Sequence, residues 1–307
     1  MLTRLGLTLL ALFLVGGAFA PTRAGTEIFP FQVHQKVLEN GLNVVVIPFD
    51  SPGIVAYYLV VRTGSRQEVE PGHSGFAHFF EHMMFRGTER YSDDEYNDVL
   101  KRMGADSNAF TTDDYTAYHI VGPSAELETM MDIESDRFKN LEYSEEDFRR
   151  EALAVLGEYN KNISNPFLPM YERMRELAFQ KHTYKHTTMG FEADIAKMPE
   201  QYEYSKSFFN RFYRPENVVV MVAGDFDTEA TLALIKKHYG GWKAGYQAPA
   251  VPEEPEQTAQ RRIDVPFEGQ TLPILTISFK GERLSAQDPT YVAGILLADL
   301  AFGETSD

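Results

Sequence analysis

Apolar residues change period several times along the chain, and each change marks an element. Residues 37–62 read as a β-hairpin region. Asn40-Gly41 is a strong turn dipeptide, Val44 to Ile47 are continuously apolar, and a loop over 48–53 leads into a second apolar strand over 54–61. Phe76, Ala77, Phe79, Phe80, Met83, Met84 and Phe85 are apolar on nearly every side of a helical wheel, which predicts a buried helix. Ser74 stands as its N-cap with Gly75 opening it, and Arg86-Gly87 supplies a C-terminal cation and a stop. A capping box over 92–95 starts a helix whose Tyr96, Val99, Leu100 and Met103 share one face and which ends at Gly104. Residues 107–121, rich in Thr, Tyr, Phe and Ile, predict two short strands around 112–114. Ser124 opens a helix to about Asn140, and a second capping box over 144–147 opens one to about Asn162. A helix over 199–213 follows. Residues 217–223 form a continuously apolar strand suited to a sheet interior, and Thr228 caps a helix ending at Gly240-Gly241.

Beyond this point the pattern breaks. Residues 244–260 contain three prolines and no apolar period, and read as a linker. Strands are expected over 261–267 and 272–280, and a helix over 289–302. That order repeats the strand–strand–helix opening of residues 42–85. It predicts the start of a second, similar domain, 261–307, without the chemistry of the first. Two strands and a helix cannot bury a core, so the chain reads as truncated within that domain.

Composition narrows the chemistry. A net charge of −16 argues against nucleic acid or an anionic membrane as partner and is compatible with basic or unfolded polypeptide. The absence of cysteine removes thiolate-bound zinc, thiol catalysis and disulfides, so any metal must be held by His and carboxylate. Residues 1–24 read as a secretory signal. Arg4 precedes an apolar run of 16 residues, 5–20, too short for a comfortable membrane span. Ala18 and Ala20 fit small-x-small cleavage, although Pro21 would follow the cut, and cleavage after Ala24 is the alternative. A periplasmic or secreted protein is expected, with no stable membrane span after cleavage; an uncleaved N-terminal anchor is the other reading.

The candidate chemistry sits on the buried helix. His78-Phe79-Phe80-Glu81-His82 reads H-x-x-E-H. Positions i and i+4 of a helix share a face one turn apart, so both imidazoles can reach one ion, and Glu81 projects near them. A catalytic zinc needs such nitrogens and a carboxylate that can take a proton from activated water. The order is that of the inverzincins, the reverse of H-E-x-x-H. Two histidines and a glutamate in an apolar helix need partners, and a metal would satisfy all three. A third ligand is expected from the helix over 145–162. Glu151 and Glu158 lie two turns apart on one face among Ala152, Leu153, Ala154, Val155 and Leu156. Spacing alone does not choose between them, and a salt bridge to Arg86, Arg149 or Arg150 is an alternative use of either.

The run from Gly75 to Thr88 resembles the zinc helix of the pitrilysin / mitochondrial-processing-peptidase family. Gly104-Ala105-Asp106-Ser107-Asn108-Ala109-Phe110-Thr111, Glu151 with Glu158, and Phe212 to Asn217 running into Val222-Ala223-Gly224-Asp225 support it in the family's order. The resemblance covers about residues 33–245. It implies one Zn2+ held by His78, His82 and a glutamate 76 residues after His82, which is Glu158. It implies Glu81 as general base and Glu151 as outer support. It also implies an edge strand at Asn108, Ala109 and Phe110 that accepts a peptide or unfolded polypeptide as an added strand. The implied fold is α+β: a mixed sheet covered by helices over 25–243, paired clamshell-fashion with a similar domain. Family members take a substrate-holding Arg and Tyr from that second domain, and some divide the site between homologous subunits. A homologous partner or homodimer is therefore open, as is a non-catalytic binding or assembly subunit.

Four further features carry less. His73 reads as a loop residue. His182 and His186 are four apart in a polar, loop-like stretch. Asn162-Ile163-Ser164 matches a glycosylation sequon, and Trp242 reads as packing.

Overall fold

The computed structural model describes residues 29–281, 284–285 and 287–303. The leader expected over 1–24 lies outside them. Six strands form one mixed sheet: β1 His34–Val37, β2 Asn43–Pro48, β3 Ile54–Val61, β4 Asp106–Thr111, β5 Thr116–Pro123 and β6 Val218–Gly224, in the order β1-β2-β6-β3-β5-β4. The Asn40-Gly41 turn joins β1 to β2, with Gly41 at φ 87°. The expected hairpin region is corrected at its second half. β2 and β3 are not neighbours, because β6 lies between them, parallel to β2 and antiparallel to β3. The apolar run of β6 is thus central, where both backbone edges are paired.

Val55, Tyr57, Leu59 and Val61 of β3, with Val218, Val220 and Val222 of β6, are buried on one face. α1 (Phe76–Met83) and α3 (Leu127–Asn140) pack on that sheet. Full burial of each such aliphatic side chain stabilises the fold by about 1.5–3 kcal/mol. The helices are α1 Phe76–Met83, α2 Asp93–Met103, α3 Leu127–Asn140, α4 Glu145–Asn162, α5 Phe167–Ala178, α6 Glu192–Lys197, α7 Tyr202–Phe212, α8 Thr228–Tyr239 and α9 Pro289–Phe302. Both capping boxes form, Ser92 with Glu95 and Ser144 with Asp147, and Gly104 closes α2 in the left-handed region at φ 67°. Two caps differ from expectation. Asp227, not Thr228, accepts from Ala230 N–H to cap α8. Ser74 does not cap α1; its hydroxyl instead donates to Asp194 at 2.6 Å.

Residues 261–280 form no strand, and this corrects the two strands expected there. A strand needs a paired neighbour to satisfy its backbone, and no strand of the sheet pairs with this segment. Leu272, Leu275, Ile277 and Phe279 are exposed, while the expected helix does form as α9. The stretch over 244–260 has no regular structure, as its prolines imply.

The far end of α1 rests on a buried ion pair. Arg137 binds Glu134 at 2.7 Å and donates to the Met84 carbonyl at 3.3 Å. The rings of Phe85, Tyr96 and Tyr118 stand around its guanidinium. Removing one partner of such a pair strands the other charge, at about 3–5 kcal/mol. Arg137→Ala is therefore expected to lose about that much stability in urea unfolding; a loss below about 1 kcal/mol would show that the pair supports little.

Candidate metal centre

α1 forms where the sequence has apolar residues on almost all sides, and Phe76, Ala77, Phe79, Phe80 and Met83 are buried. The polar residues must then meet one another. One turn of helix brings His78 Nε2 to 3.3 Å from His82 Nε2. α4 packs against α1 and delivers Glu158, whose Oε2 lies 3.4 Å from His82 Nε2 and 3.7 Å from His78 Nε2. A tetrahedral ion with ligands at about 2.0–2.1 Å separates them by about 3.3–3.4 Å, so the triangle fits zinc. The donor set also fits. Two ring nitrogens and a carboxylate oxygen converge, the nitrogen and oxygen donors that zinc takes. Among the described residues, His78, His82 and Glu158 are the group of this kind.

Glu151, two turns before Glu158, does different work. Its Oε1 lies 3.0 Å from His82 Nδ1, while Oε2 accepts from Arg86 Nε at 2.7 Å and from Arg86 Nη2. Of the two uses left open for Glu151, the salt bridge to Arg86 is the one that forms, and the same carboxylate also holds the far nitrogen of the His82 ring. Arg149 and Arg150 pair instead with Glu145 and Glu146. Burial pushes the Glu151 carboxyl up, but the His82 and Arg86 bonds outweigh it and hold it below its ordinary value. The bond to Glu151 raises His82, whereas burial, then the neighbouring His82, lowers His78.

Glu81 is outside the triangle. Thr111 Oγ1, at the end of β4, donates to its Oε2 at 2.6 Å. Glu81, His82, Phe85, Arg86, Asn108 and Ala109 line one open pocket. β4 is an outer strand of the sheet, so one side of its backbone has no strand neighbour. Asn108 folds its Oδ1 onto Ala109 N–H at 2.9 Å, and Phe110 is exposed. The other histidines lie elsewhere. His73 stacks on Tyr204, His182 Nδ1 accepts from Tyr184 N–H, and His186 Nδ1 meets the Thr187 carbonyl. Trp242 packs on Phe138 and Tyr239 in the core.

Sequence reasoning missed Thr111 and Glu68. Thr111 closes the Asn108-to-Thr111 segment already singled out, so the segment was visible but its bond to Glu81 was not. Glu68 lies in the loop before α1, and its carboxylate accepts from Gly75 N–H at 2.8 Å and Ala77 N–H at 2.7 Å. Burial pushes it up to about 8 against the pull of those two bonds. No local pattern announces a cap supplied from that loop.

An α+β fold with an H-x-x-E-H helix and a glutamate from a neighbouring helix closing a triangle of donor atoms is the arrangement of the inverted-order zinc hydrolases. Residues 44–192 match the model for Insulinase (Peptidase family M16), and residues 200–306 match that for the Peptidase M16 inactive domain. The chain belongs to peptidase family M16. It is 31% identical over 262 residues to the zinc protease PqqE of Helicobacter pylori, covering 83% of this chain and 58% of that protein. The crystal structure of a protease from Helicobacter pylori superposes with TM-score 0.69 at 30% identity, over 74% of this chain and 54% of that one. The periplasmic protease PqqL of Escherichia coli does so with TM-score 0.64 at 26% identity, over 75% and 26%. The chain thus spans between 26% and 58% of these relatives.

Proposed function

We propose that this chain carries the catalytic centre of an exported zinc metalloendopeptidase acting on peptides or unfolded polypeptides. The observation that carries the reading is the His78–His82–Glu158 triangle with Glu81 beside it and unused as a ligand. One zinc per chain would be held there; when bound, it supplies Lewis acidity toward the scissile carbonyl and makes water acidic enough to deprotonate near neutrality. Glu81 takes the proton from the attacking water and returns it to the leaving amine. Thr111 keeps one carboxylate oxygen of Glu81 in place at the wall of the pocket. The open backbone edge of β4 at Asn108, Ala109 and Phe110 pairs with the substrate main chain, giving affinity with little sequence preference. Residues 244–260 link this domain to a second one beginning near 261 that supplies substrate contacts; the match to the family's inactive-domain model, over 200–306, starts before α7 and runs across this linker. Export to the periplasm accords with the apolar leader of the sequence and with the periplasmic location of PqqL. No helix of the described residues is long and apolar enough to cross a membrane.

A second reading is that a homologous partner subunit or a second copy completes the site, and this chain alone binds but does not cut. The test is incubation of the zinc-loaded chain with an unstructured peptide, followed by mass spectrometry, with and without chelator. Cleavage lost on chelation supports the peptidase. Bound zinc without cleavage supports the partner-dependent reading.

Thr111 gives a finer prediction. Thr111→Val removes a hydrogen bond to a charged group, about 1.5–3 kcal/mol, and should slow hydrolysis by about tenfold or more at unchanged zinc content. Thr111→Ser should retain most activity; a valine variant as fast as wild type would remove Thr111 from the mechanism.

A further inference from the structure

The two histidines of the motif are supported unequally. His82 is held through its ring, because Glu151 binds Nδ1 and Arg86 holds Glu151. His78 Nδ1 is buried and has no hydrogen-bonding partner among the described residues. Ligand imidazoles are ordinarily aimed by a bond to the far nitrogen. His78 must be aimed by its backbone and its packing instead.

That backbone is gripped immediately before His78. Glu68 receives the Ala77 and Gly75 N–H groups on its two carboxylate oxygens. It is 4% exposed, and no Lys or Arg forms an ion pair with it among the described residues. His186 Nδ1, 3.8 Å away, lies nearer the Thr187 carbonyl, at 3.0 Å. Burying a carboxyl group without a cation is costly, and the bonds from the Gly75 and Ala77 N–H groups offset part of that cost. An ordinary cap cannot replace it. Gly75 sits at φ 94°, and a Cβ there would stand 2.6 Å from the Met189 carbonyl. Ser74, the residue before, is committed to Asp194 and Phe191.

We infer that Glu68 is a positioning residue for the metal centre: its two-pronged hold on the first turn of α1 sets His78 Nε2 against His82 Nε2 and Glu158 Oε2. Glu68 does for His78, through the main chain, what Glu151 does for His82 through the ring. The inference rests on the metal reading proposed above.

The experiment measures zinc affinity by competition with a chromogenic chelator, the visible spectrum of the cobalt(II)-loaded chain, and thermal unfolding. It compares wild type, Glu68→Gln, Glu68→Ala and Ser74→Ala. Glutamine matches glutamate in size but offers one acceptor oxygen, so Glu68→Gln remains informative if the alanine variant does not fold. Ser74→Ala loosens the same turn without touching the Ala77 N–H. Glu68→Gln is expected to weaken zinc by about tenfold or more, the scale of lost outer support, and to shift the cobalt bands. Ser74→Ala should leave both nearly unchanged. Wild-type zinc affinity and cobalt spectrum in Glu68→Gln, even with a lowered melting temperature, would overturn the inference, as would equal weakening in Ser74→Ala. A wild-type chain that takes up no zinc would overturn the metal reading itself, and the inference with it.

Discussion

Glu81→Gln is expected to abolish peptide hydrolysis while leaving zinc content unchanged. The substitution keeps size and hydrogen-bonding reach, since Thr111 can donate to the amide oxygen as it donates to the carboxylate. What it removes is the ability to accept and return a proton. General acid–base catalysis contributes about 10²–10⁴-fold, so turnover should fall by at least that range. Zinc should be retained because the ligand triangle consists of His78, His82 and Glu158 and excludes Glu81. Product formation by mass spectrometry and metal content of the same preparation check both halves. Turnover within about threefold of wild type would remove Glu81 as the base; loss of zinc would mean that Glu81 helps to hold the ion.

Glu158→Gln is expected to weaken zinc binding far more than Glu151→Gln. Glu158 places a carboxylate oxygen 3.4 Å from His82 Nε2, on the side where an ion would sit. An amide oxygen is a poor substitute for that charge. Glu151 reaches the other side of the ring, at Nδ1, and acts on the metal only through His82. Loss of such outer support costs about 10–100-fold in metal affinity, and loss of a direct ligand should exceed it. The two variants also differ in a second measurement. The Glu158 side chain is 38% exposed, so its substitution should hardly alter the stability of the metal-free chain. The Glu151 side chain is 5% exposed and pairs with Arg86, so its substitution should destabilise that chain. Equal zinc dissociation constants for the two variants would undo the assignment of Glu158.

Much of this site could be read from local sequence because it is locally encoded. The i, i+4 spacing of His78 and His82 fixes a shared helical face wherever a helix forms, and the apolar surroundings ensure that it forms buried. Glu151 and Glu158 were equally eligible for the same reason, two turns apart on one helix. Only the packing of α4 on α1 divides them, sending Glu158 to the Nε2 side of the His82 ring and Glu151 to its Nδ1 side. Caps show the same limit. The boxes at Ser92 and Ser144 close within four residues and were legible, whereas the cap of α1 comes from a loop carboxylate and depends on how that loop folds back.

The sequence by itself determined the periods, the turns at Asn40-Gly41 and Gly104, the metal motif and the absence of thiol ligands, because each depends on neighbours along the chain. Tertiary structure decided the rest. It inserted β6 between β2 and β3, left 261–280 without strand pairing, turned Ser74 toward Asp194, and brought Thr111 to Glu81 and Glu68 to the first turn of α1. Strand neighbours and hydrogen bonds across loops are settled by which distant surfaces bury together, and no local period carries that information.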